Sequence, residues 1–272
     1  SGYNHWVVMQ LFFPIAGLLG IFLLIFISVI SHKKAKRQNS MLIFAISSVH
    51  KYSFLISRLV SRDFHVKYKR SVLGVFWSFL NPVLTMVVQY VVFSTLFQST
   101  IPYFPVYLLT GIVCFSYLTE SISMSMTAIT GNASLIQKVY IPKYIFPFSK
   151  VLSSLINLLI SLIPLFVVVL ISGTPITKAL LLLPIPLILM VVFCLGFALL
   201  LATANVFFRD TQFLWGVISL VWLYITPIFY PESIIPQAFR TIYHMNPMYQ
   251  FITFIRHLVI YGYTPAPSMY LW

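Results

Sequence analysis

The sequence of residues 179–207 is ALLLLPIPLILMVVFCLGFALLLATANVF, a run without one charged side chain. A helix that crosses the hydrocarbon core of a bilayer needs about 20 consecutive apolar residues. Lys178 precedes the run and Arg209 follows it, so both ends carry charges suited to the membrane surfaces. The stretch therefore predicts a transmembrane helix and indicates an integral membrane protein.

The composition of the whole chain agrees with this class. The 272 residues are 60% hydrophobic and 8% charged, whereas soluble domains carry about 25% charged residues. So few polar side chains cannot cover the exterior of a soluble fold, and lipid must surround most of the chain. Seventeen Lys and Arg against four Asp and Glu give a net charge of +13. These charges occur in short blocks between apolar segments, which argues against nucleic-acid binding and favours contact with anionic lipid headgroups.

Five further segments are long and apolar enough to be candidate membrane spans. They are residues 7–30, 81–97, 107–130, 147–171 and 213–230. Residues 41–61 place apolar side chains at helical spacing, which predicts a helix in the membrane interface. Residues 231–262 are less hydrophobic and contain several breaks, which predicts two short helices that enter the membrane and return. The expected fold is an all-α bundle of about six transmembrane helices.

The basic residues predict the orientation. Residues 31–70 contain ten Lys and Arg, residues 131–150 contain three, and Arg209 is another, out of 17 in the chain. Connecting segments between membrane spans, here called joints, face the cytoplasm when they are rich in Lys and Arg. We therefore expect residue 1 and, with six spans, the end of the chain on the external side.

The sequence predicts no catalytic site and no metal site. A GxxxxGK[ST] loop, which would cradle nucleotide phosphates, does not occur. The acids are widely separated, and the six histidines show no ligand spacing. Cys114 and Cys194 both lie inside apolar runs, where small core residues are expected. We therefore expect that the chain alone neither binds nor hydrolyses ATP.

Glu120 is the one carboxylate inside a predicted span. An ionisable residue in the membrane is a functional candidate. Its polar neighbours Ser116, Ser121, Ser123 and Thr127 suggest a hydrogen-bonded patch that joins helices. This structural role is favoured over contact with a substrate. The other internal acids, Asp63 and Asp210, each follow an arginine and suggest charge-compensated helix ends.

Residues 62–82, RDFHVKYKRSVLGVFWSFLNP, change from basic to apolar. Phosphate or pyrophosphate could be held here at the inner membrane face by Arg62, Lys67, Lys69 and Arg70. Tyr68 and Trp77 are expected at the depth of the headgroups. Simple anchoring of the topology explains the same charges, and charge alone favours neither interpretation.

Residues 131–150, GNASLIQKVYIPKYIFPFSK, form a joint with an apolar side. That side contains Leu135, Ile136, Val139 and Ile141, and Pro142 ends it. A short amphipathic helix of this kind can dock into a groove of a partner protein. A loop on the membrane surface is the alternative.

These two blocks, with FFRD at 207–210 and the YPES and NPM motifs at 230–233 and 246–248, resemble a known family. It comprises the permease subunits of bacterial type-2 ABC exporters that move lipid-linked O-antigen, capsule or teichoic acid. The resemblance covers residues 62–262. It implies two permease copies and two ATPase subunits in the cytoplasmic membrane. It also implies that ATP and Mg are bound by the ATPase and that this chain carries no cofactor.

The resemblance also implies roles for particular segments. Residues 62–82 correspond to an interfacial gate helix and the start of the first family span, and residues 231–262 correspond to external re-entrant helices. The coupling helix that receives the ATPase motion corresponds to Leu135, Ile136, Lys138, Val139, Tyr140 and Ile141. The candidate aromatics of a homodimeric sugar channel are Phe93, Phe97, Tyr107, Phe115, Tyr117, Trp222 and Tyr224. For each aromatic taken singly, ordinary packing or lipid contact is the favoured alternative.

The chain departs from the family pattern at both ends. Residues 1–40 form an additional hydrophobic segment with a basic flank, residues 41–80 form the interfacial gate region, and residues 81–272 form the transmembrane permease domain. The last family span should follow Gly262 and is not found there. Two alternatives to glycan export are the export of a drug or another lipid, and a membrane glycosyltransferase or acyltransferase. The shortage of acids and clustered histidines argues against the enzyme.

Overall fold

The structure, a computed structural model, describes residues 47, 49–69, 71–97, 101–175, 177–236, 243 and 245–263. The α-helices with described bounds are α1 (Ser53–Tyr68), α2 (Phe76–Phe97), α3 (Phe104–Met126), α4 (Ala133–Lys138), α5 (Ile145–Ser172), α6 (Pro184–Phe207), α7 (Thr211–Ile225) and α8 (Pro247–Arg256). Residues 56–263 belong to one unit, which contains every contact of the candidate site. The second unit comprises residues 1–55 and 264–272, of which residues 49–51 and 53–55 are helical.

Among the described residues, four helices are long and apolar enough to cross a membrane, namely α2, α3, α5 and α6 with the turn Lys178–Leu182 before it. The described residues contain helices and no strands, which confirms the predicted all-α membrane fold. The spans predicted at 81–97, 107–130, 147–171 and 179–207 are all helical, with ends displaced by a few residues. The candidate span at 7–30 lies outside the described residues, so the count of six stays a prediction.

Helix α7 is shorter than the span predicted at 213–230. It has 15 residues and ends at Ile225, which gives a length of about 22 Å, less than the hydrocarbon thickness of about 30 Å. Thr226 has an extended backbone with φ −76° and ψ 129°. A residue that precedes proline avoids the helical region, and Pro227 therefore ends the helix inside the apolar run.

Helix α3 lies at the centre of the bundle. In its most apolar stretch 78% of the residues are buried, against 11% for α2. It packs against α2, α5, α6, α7 and α8. Small hydroxyl residues line its contact with α5, and Ser125 Oγ donates to the carbonyl of Ser121 at 2.6 Å and to that of Pro147 at 3.3 Å. Small side chains let two membrane helices approach closely, and these hydroxyls remain paired.

One face of α6 packs inward along its whole length. Its residues Met190, Cys194, Ala198 and Ala202 have no solvent exposure and recur every four positions, so they lie on one side of the helix. One turn further, Asn205 Nδ2 donates to the carbonyl of Met126 at 2.8 Å. This bond satisfies a carbonyl in the last turn of α3 and joins the C-terminal ends of the two helices.

Candidate gate and coupling site

Helix α1 is amphipathic and lies against the end of the bundle where α3 ends and α5 begins. Ile56 and Leu59 are its buried residues, and three residues of separation put them on one face. The predicted interfacial helix at 41–61 ends too early, because α1 continues to Tyr68. The basic residues that follow Ser61 therefore lie on a helix attached to the bundle.

Asp63 ties α1 to α5. Its carboxylate accepts from Lys150 Nζ at 2.8 Å and from Ser153 Oγ at 3.3 Å. Arg62 is more distant at 3.4 Å and is half exposed, whereas the Asp63 side chain is only 8% exposed. The main partner of Asp63 is therefore Lys150, and its role is to fix α1 on the bundle rather than only to compensate its neighbour.

We expect Asp63→Asn to loosen α1. Removing one partner from a fully buried pair costs about 3–5 kcal/mol, but a partner that reaches the membrane surface can regain water. The expected loss is about 1–2 kcal/mol, which corresponds to a few degrees in the melting temperature of the purified protein. Asp210→Asn, at an exposed carboxylate, is the matched control. Equal melting temperatures for the two variants would contradict the bracing role of Asp63.

Arg62 connects α1 to the joint that carries the predicted coupling helix. Its guanidinium donates to Asn132 Oδ1 at 3.3 and 3.4 Å. Asn132 precedes α4 and is held by its own bond from Nδ2 to the carbonyl of Ala128 at 2.7 Å. The two blocks singled out in the sequence are thus in direct contact.

Glu120 joins three helices. Its Oε1 accepts from Lys67 Nζ on α1 at 2.6 Å and from Asn157 Nδ2 on α5 at 2.7 Å. The expected serine patch is wrong in its partners, because Ser121 and Thr127 donate to carbonyls of their own helix and Ser123 accepts from Trp215. Lys67 and Glu120 are 41% and 28% exposed, so the pair lies at a boundary accessible to water.

The other predicted phosphate-site residues surround this pair. Tyr68 donates to Asn157 Oδ1 at 2.9 Å and is also hydrogen-bonded to Ser78 in the first turn of α2. Trp77, in the same turn, is 46% exposed. Lys69 is exposed, and the described part of the chain shows no side-chain partner for it. Arg70 lies outside the described residues. Of the described lysines predicted to bind phosphate, Lys69 is exposed, whereas Lys67 is already paired with Glu120.

The predicted coupling helix is shorter than expected. Helix α4 ends at Lys138, and Val139 has an extended backbone with φ −136° and ψ 132°. Val139 and Tyr140 are 52% and 92% exposed, whereas Leu135 and Ile136 are half-buried and Ile141 is buried. The exposed apolar surface of this joint therefore lies just after α4, and its docking role stays a prediction.

Three of the candidate channel aromatics are buried within the chain. Tyr107, Phe115 and Tyr117 are at most 8% exposed, and the Tyr107 hydroxyl donates to the carbonyls of Pro227 and Tyr230. Such burial favours packing over contact with a passing sugar.

The remaining aromatics lie nearer the surface. Tyr224 is 60% exposed, Trp222 is half-buried and donates to Asn246 at 2.8 Å, and Phe93 stacks on Phe229 with 5.6 Å between ring centroids. The Phe97 side chain is outside the described set.

Four polar residues of the site were not predicted from the sequence, namely Asn132, Asn157, Lys150 and Ser153. The available signal was that a polar residue inside an apolar span must find a partner.

The fold and this site define a multi-pass membrane protein whose helix α1 is bonded to the joint before α4 at one end of the bundle. The family model for the ABC-2 type transporter matches residues 54–260. The chain therefore belongs to the ABC-2 type transporter family.

Similar proteins include an O-antigen export system permease protein RfbA of Myxococcus xanthus, 30% identical over 210 residues. The matched region covers 76% of this chain and 81% of that protein. A protein of the same description from Klebsiella pneumoniae is 30% identical over 209 residues, again 76% of this chain and 81% of the relative. The family and the apolar helices identify the chain as a multi-pass inner-membrane transport protein.

Proposed function

We propose that this chain is the permease subunit of an ATP-driven exporter that moves a polyprenyl-pyrophosphate-linked polysaccharide across the cytoplasmic membrane. Two copies form the channel, and two separate ATPase subunits bind ATP and Mg. The chain itself is not an enzyme and carries no cofactor. The relatives are named as O-antigen export permeases, which supports a polysaccharide as the cargo. The direct bond between Arg62 on α1 and Asn132 before α4 carries the mechanism.

Coupling follows from that bond. The exposed Val139 and Tyr140 dock on the ATPase, and a movement of the joint is transmitted through Asn132 to Arg62 and hence to α1. Helix α1 is also held by the Asp63–Lys150 and Lys67–Glu120 pairs. These three connections belong to one short helix, so a displacement of the joint strains the other two contacts together.

Capture of the cargo uses the same helix. The pyrophosphate is held by Lys69, Arg70 and Lys67, and its phosphate oxygens compete with Glu120 for the Lys67 ammonium. Charge-assisted bonds to phosphate are stronger than neutral ones. Tyr224, Trp222 and Phe93 are the aromatics retained for the channel, because the others are buried or undescribed.

We expect deletion of the gene to leave the lipid-linked glycan inside the cell. Lipid-linked polymer should accumulate at the cytoplasmic face, because the enzymes that build it remain active while its exit is blocked. The measurement is the lectin-accessible glycan on intact cells, compared with the total after lysis. The wild-type gene should restore export. It should not do so in a strain whose partner ATPase has an inactivated Walker motif.

The proposal fails if the deletion strain displays the normal amount of surface glycan. Loss of resistance to drugs with normal surface glycan would favour export of a drug or another lipid. Transfer of sugar or acyl groups by the purified chain without the ATPase would favour the enzyme.

A further inference from the structure

A cavity of about 280 Å³ lies at the other end of the bundle from the contact between α1 and α4. It is bounded by the first turn of α3, the segment that follows α7, and α8 with the π-helical turn His257–Tyr261. Its lining includes Tyr107, Glu232, Tyr249, Arg256, His257 and Tyr261. The positive-inside asymmetry places this end outside the cell.

Arg256 forms the floor of the cavity and is only 4% exposed. Its guanidinium donates to the carbonyls of Pro227, Tyr107 and Ile228 at 2.8, 3.0 and 3.2 Å. Its Cζ lies 3.3 Å from the centroid of the Tyr107 ring, a cation–π contact. The Nε–H is buried and has no partner among the described residues. An arginine has five N–H donors, and leaving one unpaired in a buried place is unfavourable.

His257 also lines the cavity. Its Nδ1 is buried without a hydrogen-bond partner in the described part of the chain. The ring contacts those of Tyr261 and Tyr263, at centroid distances of 5.5 and 5.1 Å. Burial lowers the pKa of His257, which lies outside the four spanning helices, so the imidazole is neutral at pH 7.

The charges of the lining define the ligand class. Arg256 contributes one positive charge and Glu232 one negative charge, and no other described lining residue is charged at pH 7. The Tyr249 hydroxyl bonds to the Glu232 carboxylate, which keeps further lone pairs as acceptors. A cavity with cancelling charges, a carboxylate at its rim and aromatic walls fits a neutral ligand that has hydroxyl groups on its edge and an apolar face.

We propose that this cavity binds one uncharged sugar ring of the exported glycan as it leaves the channel. The assignment of this ring to the exported glycan rests on the proposed export function. A sugar hydroxyl donates to Glu232, and the C–H face of the ring packs on Tyr261. Ligand sites commonly have volumes of about 300–1,000 Å³, so this cavity is sized for a single ring and not for a length of polymer.

The test is saturation-transfer NMR on the purified full-length chain in nanodiscs. The probes are methyl glycosides of glucose, galactose, mannose and rhamnose, with glucose 6-phosphate as the charged comparison. At least one neutral glycoside should bind. Glu232→Gln should weaken that binding by about tenfold or more, because a hydrogen bond to a charged acceptor is lost. Glu232 is exposed at the rim, so this variant should fold. The control Asp210→Asn, an exposed carboxylate at the other end, should bind as the wild type does.

The proposal is overturned if no neutral glycoside binds the wild type, if Glu232→Gln binds it equally well, or if only the sugar phosphate binds. Tyr249→Phe supplies a second variant and should also weaken binding, because it removes the hydroxyl that positions Glu232. Binding to the purified chain is independent of export in cells. Glycoside binding without export would leave the cavity proposal standing and defeat the export function, whereas export without glycoside binding would do the reverse.

Discussion

Replacing Val139 and Tyr140 together by Asp is expected to abolish stimulation of the partner ATPase and export of the glycan. The two side chains are 52% and 92% exposed after the end of α4, so a groove on the partner can reach both of them. Central side chains of an interface are each worth about 2 kcal/mol or more. Losing two of them weakens assembly by about 4 kcal/mol, a factor of about 1,000 in affinity. Copurification and ATP hydrolysis in nanodiscs measure the effect.

The control adds the same charge to the same joint. Ser134 and Gln137 are exposed positions of α4, and their replacement by Asp should leave assembly within about tenfold of the wild type. Substitution of Leu135 and Ile136 is less informative, because these half-buried side chains also pack against the chain itself. A Val139 and Tyr140 double variant that copurifies and exports normally would disprove the docking surface.

The long spans were predictable because their apolar runs exceed what a soluble fold can bury. The errors occur where one residue interrupts a run. Pro227 ends α7 although the apolar sequence continues to Tyr230. At α4 the pattern of Leu135, Ile136 and Val139 is helical, yet the backbone becomes extended at Val139, three residues before Pro142. Hydrophobic periodicity measures burial, and it does not locate the residue at which the chain turns.

The candidate site was predictable in its residues and not in its partners. The basic block around Lys67 was visible, but its acceptor Glu120 lies 53 positions away and Ser153 lies 90 positions from Asp63. Such pairings depend on how helices pack, which one sequence does not specify. Asn157 was the available signal, since a polar side chain within the apolar run 147–171 requires a partner. Arg256 was open to the same argument among the apolar residues 251–260.

The second large effect is expected from replacing Lys67 and Lys69 together by Gln. Charge-assisted hydrogen bonds contribute about 1.5–3 kcal/mol each, so two of them correspond to at least about a 100-fold rise in the lipid concentration that half-stimulates the ATPase. Hydrolysis without substrate should persist, because α4 and the residues after it are unchanged. The measurement titrates the polyprenyl-pyrophosphate-linked glycan against the reconstituted complex, with Lys143→Gln, an exposed cation of the next joint, as the control.

Glu120→Gln then separates capture of the cargo from bracing of α1. The Lys67–Glu120 pair is 2.6 Å long but partly exposed, and such pairs contribute at most about 1 kcal/mol. A pyrophosphate that forms stronger bonds can therefore displace Glu120, and removing the carboxylate should lower the half-stimulating concentration about fivefold. If Lys67 only braces α1, Lys67→Gln and Glu120→Gln break the same contact. Both variants would then lower stimulation and melting temperature alike, and the pyrophosphate site would have to be placed elsewhere.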